Sequence, residues 1–175
     1  MKLFTYLLIL FSLPTLAQEI KTISWDEAKI SDRIELTISK ADFDKRYKKA
    51  DSIAAPRVNE TCGTEDEANV KMVFYKGVKF ELDNGILNFR SVNFAKRRSM
   101  YFSIKGDWFD HTTTLKSFKK TYAEAATYIE DYENEDGDTM EMITILPDKT
   151  DEKYEWRFFF DEGKLHSIEC VFPCD

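Results

Sequence analysis

Two stretches, FELDNGILNFRSVNF at residues 80–94 and FFFDEGKLHSIECVF at 158–172, constrain the fold more than any other part of the chain. In each, an apolar-rich run reaches Asp83-Asn84-Gly85 or Asp161-Glu162-Gly163, and a leucine follows two residues past the glycine. A two-residue turn of the Asn-Gly kind between alternating runs is a strong β-hairpin signal, because both central residues must take positive φ to match the twist of the strands. Strands joined this tightly pair antiparallel; a parallel sheet needs long crossovers.

The likeness extends upstream of the hairpins. SKADFDKRYKKADSIAAP carries Ser39 three residues before Asp42, then Phe43, Tyr47, Ala50 and Ile53/Ala54 at helical spacing, and Pro56 closes it. TLKSFKKTYAEAATY places Thr114 at an N-cap position ahead of Leu115, Phe118, Tyr122 and Ala125/Ala126. Phe43, Lys45 and Tyr47 recur as Phe118, Lys120 and Tyr122, 75 residues on, and the hairpins recur 78 residues on. Alternating strands at Ile34/Leu36/Ile38 and Met100/Phe102/Ile104 precede the two helices. The expected fold class is α+β: two tandem helix-plus-antiparallel-strand repeats, residues 18–98 and 99–175. They share one core and form a mostly antiparallel sheet with helices on one face.

On that reading the core-facing set is Val70, Met72, Phe74, Val78, Phe80 and Leu82, with Met140, Met142, Trp156, Phe158 and Phe160 in the second repeat. The opposite, open face then carries Val73, Tyr75, Ile143, Ile145 and Phe159 among charged neighbours such as Lys79 and Arg157. Apolar and aromatic residues interleaved with charge have the composition of a protein-binding surface, and Trp108 in the loop before the second helix extends it. The competing expectation is that residues 18–30, with Ile20, Ile23 and Trp25, fold over that face.

Residues 1–17 read as a secretory signal peptide: Lys2, an apolar run, Pro14, then small residues with cleavage after Ala17. Losing Lys2 lowers the formal net charge of -7 by one, and an acidic surface argues against nucleic acid as a partner. The basic stretches at 45–49 and 95–99 read as a wet helix face and a linker. No later segment reads as a bilayer span. Of three cysteines, Cys170 falls at an inward strand position, which favours a Cys62–Cys174 disulfide in an oxidising compartment.

Motifs for chemistry are sparse. The chain has no Gly-x-Ser-x-Gly, His-Glu-x-x-His or glycine-rich phosphate loop. His111 in DHTTT is the best candidate base, but the stretch reads more simply as a polar lead-in that caps the second helix. His166 and Cys170 lie four residues apart on a strand, about 13 Å, too far for a nucleophile and its base. EDYENEDGDTMEM fails as a calcium loop, because Tyr132 and Ile143 occupy its first and twelfth positions. Neither histidine has zinc-like spacing to a cysteine. No catalytic residue, cofactor or metal is expected.

Two tandem helix-plus-antiparallel-sheet units in an exported chain resemble the β-lactamase-inhibitor-protein architecture, on the strength of the Phe-x-Lys-x-Tyr and Phe-x-x-Asp-x-Gly-x-Leu echoes. The resemblance implies a target protein held across a concave sheet. The expected function is therefore an exported, periplasmic or secreted, non-catalytic protein-binding module of inhibitor or immunity type. An envelope-assembly or scaffold component is the alternative, and a hydrolase ranks below both.

Overall fold

The computed structural model describes residues 21–47, 49–57, 60, 69–134, 137–148 and 153–173. The expected leader, Cys62 and Cys174 lie outside them. The first stretch runs β1 (Lys29–Ile30), β2 (Ile34–Glu35), β3 (Thr37–Ser39), α1 (Lys40–Arg46), β4 (Ser52–Ala54), β5 (Lys71–Tyr75), β6 (Val78–Asp83) and β7 (Ile86–Asn93). The second runs β8 (Phe102–Ile104), β9 (Asp107–Phe109), α2 (Leu115–Thr121), a 3-10 turn at Ala125–Thr127, β10 (Ile129–Glu133), β11 (Thr139–Ile145), β12 (Glu155–Asp161) and β13 (Lys164–Val171). Where the first has β3 paired with β7, the second has a single bridge from Thr114 to Lys164 of β13.

The expectation of an α+β fold with helices shielding one face is corrected. Among the described residues strands outnumber α-helices thirteen to two, and each helix has seven residues. Both helices start where the caps predict: Ser39 accepts from the Asp42 amide, and Thr114 forms a reciprocal capping box with Ser117. They stop early. Tyr47 turns to extended backbone (φ -121°, ψ 156°), and Ser52–Ala54 pair with Phe74, Val73 and Met72 as an edge strand. A two-turn helix gains little from propensity alone, so pairing to a free strand edge wins.

The large sheet runs β10-β11-β12-β13-β7-β6-β5-β4, with β3 also on β7. Its inner face is covered chiefly by a second sheet, β2-β1-β8-β9, with the helices contributing Phe43, Leu115 and Phe118. Aromatic rings knit the layers: Phe102 lies 5.3 Å from Trp156 and Phe109 lies 5.2 Å from Phe158, centroid to centroid. The described part of 18–30 packs on this inner face too. Ile23 is buried and bridges Pro147, and Trp156 Nε1 donates to its carbonyl at 3.2 Å.

Three turns set the phase of the strands. Lys76-Gly77, Asn84-Gly85 and Glu162-Gly163 each have positive φ at both residues, as a tight hairpin turn of the I′ kind requires. A two-residue turn makes its flanking residues cross-strand partners. Tyr75 therefore faces Val78, and Val73 faces Phe80, on one side of the sheet.

That register overturns part of the expected face assignment. Val73, Tyr75, Ile143 and Ile145 belong to the main core on the inner face, whereas Met72, Met140 and Met142 lie on the other. Two bulges add a second shift. Lys79 pairs Ser91 while Phe80 pairs Phe89, so Arg90 is extra; Phe159 pairs Ser167 while Phe160 pairs Leu165, so His166 is extra. The bulge puts His166 on the face opposite Ile168 and Cys170, whereas simple alternation places all three together.

Candidate functional site: the outer face of the large sheet

The outer face is organised as rows across the strands. Pairing aligns Lys79 (β6), Ser91 (β7), Glu169 (β13), Arg157 (β12) and Thr144 (β11) in one row. The next row holds Asn93, Ser167, Phe159 and Met142. A groove of about 790 Å³ runs over these rows, and Lys79, Arg157, Phe159, His166, Ser167 and Glu169 line it.

The charges in the first row alternate and are mostly paired locally. Lys79 donates to Glu60 at 3.0 Å, and Arg157 binds Glu155 on its own strand. Glu169 lies between these cations and makes no hydrogen bond among the described residues. Burial pushes its carboxyl above the ordinary glutamate range; Lys79 and Arg157 oppose the shift, and Glu60 adds to it. Glu60 itself is held below the usual range against its own burial, by the Arg57 amide and by Lys79.

His166 is held in one orientation. The Asn93 carboxamide oxygen accepts from the Lys96 amide at 3.0 Å, so its nitrogen faces His166 Nε2 at 3.1 Å and donates to it. The Nε2 lone pair is thereby occupied. Beside this polar row, Met140, Met142 and Phe159 form a separate apolar cluster, with Tyr132 4.8 Å from Phe159.

The expected binding residues therefore divide. Phe159 and Arg157 do line the groove. Tyr75, Val73, Ile143 and Ile145 are at most 5% exposed and sit in the core beneath it. Trp108 is 65% exposed but stands on β9 of the small sheet, away from the groove lining. Sequence reading missed Met140, Met142, Ser167, Asn93 and Glu169. A signal was present only in the first half, where setting Tyr75 opposite Val78 across Lys76-Gly77 fixes the correct phase; Met140, Met142, Ser167 and Glu169 stand on strands that this turn does not reach.

Elsewhere, His111 sits in a turn where Thr112 and Thr113 bond Asp110, and its buried Nδ1 has no partner among the described residues. Cys170 is buried and free, with its thiol pushed up by burial. Among the described residues no group of three or more His, Cys, Asp or Glu is placed to hold a metal, and no helix is long and apolar enough to cross a membrane. No protein-family model, curated protein or solved structure matches this chain.

Proposed function

We propose that this chain is an exported, non-catalytic module that binds another protein across the groove on the outer face of its large sheet. The observation that carries the reading is the groove itself, where a row of alternating charge lies beside an apolar cluster on rigid strands. An apolar anchor region flanked by polar groups is the usual make-up of a protein interface. Strand-borne side chains are also held with little freedom, so little entropy is lost on docking. Tyr132, 36% exposed, is the apolar anchor of the reading, backed by the buried Phe159 and Met142, and Arg157, Lys79 and Glu169 set the charge pattern a partner must complement.

The test is capture from the envelope and extracellular fractions with immobilised wild-type protein and variants, read by mass spectrometry. The expected result is a partner retained by wild type and by Trp108→Ala, then lost with Arg157→Ala and Phe159→Ala, both checked as folded by thermal denaturation. Identical captures with all four proteins, or no specific capture, would defeat the proposal.

A further inference from the structure

One edge of β7 serves two strands. Ile86, Leu87 and Asn88 pair with β3, Ser91, Val92 and Asn93 pair with β13, and the bulged Arg90 falls between. Three aromatic side chains converge beside this gap: Trp25 from the segment before β1, Tyr154 just before β12, and Phe172 just after β13. Trp25 lies 5.5 Å from Tyr154 and 5.9 Å from Phe172, and stacks on Trp156 at 5.7 Å. Thr37, Asn88, Glu81 and Arg90 line the same half-open pocket, of about 290 Å³.

The polar wall is set in order by its own bonds. Trp25 Nε1 donates to Thr37 Oγ1, and Thr37 Oγ1 donates to Asn88 Oδ1, each at 3.0 Å. The carboxamide nitrogen of Asn88 is left with no partner among the described residues. Arg90 sends both Nε and Nη2 to the same oxygen, Glu81 Oε2, while its guanidinium lies over Phe172 at 4.5 Å. Glu81 Oε1 and Arg90 Nη1 are likewise without a hydrogen bond among the described residues.

The pocket thus combines aromatic rings with unused donors on Asn88 and Arg90 and an unused acceptor on Glu81. Its two charges are already joined in a pair and offset each other, so the pocket has no net charge to draw in a charged ligand. A neutral ligand with one apolar face and several adjacent hydroxyls fits all of this. Its C–H face stacks on aromatic rings, and each hydroxyl both donates and accepts. We propose that the pocket binds one ring of a neutral saccharide. The volume is at the small end for ligand sites, which suits a single sugar ring. A ligand of about a dozen heavy atoms at ordinary efficiency binds with Kd on the order of 1 mM. Arg90 and Phe172 also border the larger groove, so the two sites adjoin.

The experiment is ligand-observed saturation-transfer NMR on the whole chain. The probes are the methyl glycosides of glucose, galactose and mannose, N-acetylglucosamine, and glucuronic acid as a charged comparator. The expected result is transfer to the ring protons of at least one neutral probe, with Kd rising about tenfold or more in Asn88→Ala and in Glu81→Gln, the size expected from losing one buried hydrogen bond. Both variants should still unfold cooperatively and stay folded at the assay temperature, and Phe159→Ala, in the protein-binding groove, should keep wild-type saccharide affinity. No transfer to any neutral probe at tens of millimolar would overturn the proposal. So would affinity unchanged in both folded pocket variants, or glucuronic acid binding more tightly than every neutral sugar.

Discussion

Phe158 and Phe159 are neighbours in β12 whose rings leave on opposite faces, and truncating each to alanine separates the two environments. Phe158 is fully buried between the layers, 4.8 Å from Phe118 and 5.2 Å from Phe109, and pairs across the sheet with Ile143 and Ile168. Phe158→Ala leaves an enclosed void, so transfer and cavity terms both count, about 3–5 kcal/mol. For a chain of this size that lowers the thermal midpoint by roughly 6–20 °C. Phe159 is also buried, but its cluster is only Met140 and Met142, beside an open groove. Water refills that space, and the transfer term alone remains, about 1.5–3 kcal/mol. Urea unfolding followed by tryptophan fluorescence measures both variants, with slopes equal to wild type showing that the transition itself is unchanged. A Phe159→Ala cost equal to or above that of Phe158→Ala would refute the assignment of faces.

Gly77→Ala should destabilise more than Gly163→Ala in thermal melts. Both sites have positive φ, which costs alanine about 1–2 kcal/mol, but a Cβ at Gly77 also comes within 2.9 Å of the Asn93 carbonyl while Gly163 has open space. Glu169→Gln should stabilise the chain at about pH 7 and be neutral near about pH 3, because the folded state holds this proton to higher pH than the unfolded state. Wild-type stability thus falls as pH rises from the ordinary glutamate value through the raised one, and a denaturation series across pH that shows no such difference would contradict it. Cys170 should stay unlabelled by iodoacetamide until unfolding, read by peptide mapping, since its thiol is buried and its pKa is raised; rapid labelling of the folded chain would contradict its burial.

The parts of the fold governed by local chemistry were legible. Asn84-Gly85 and Glu162-Gly163 mark their hairpins, and Ser39 and Thr114 mark the helix starts, because each acts through its own backbone neighbourhood. Helix length was not legible, since Ile53 sits at helical spacing yet is claimed by the edge of β5. The second sheet was largely invisible: β1 and β2 have two residues each and β9 has three, too few to show a period. In the site, Phe159 and Arg157 were found and Tyr75 misplaced for one reason, a phase error across Lys76-Gly77 that inverts a strand's faces. The bulges at Arg90 and His166 were illegible, because nothing in a run of alternating residues marks which one the partner strand will skip.

The junction of β7 with β13 has a kinetic consequence. It consists of three paired positions, and the residues it joins, such as Asn93 and His166, are 73 apart in sequence. Each meander can zip from neighbouring hairpins, but this join, like that of β1 with β8 through Lys29 and Ser103, must close a long loop, and both therefore form late. The hairpins can assemble in microseconds while these two long-range seams wait, so refolding runs at the pace of the joins between meanders and not of the turns within them.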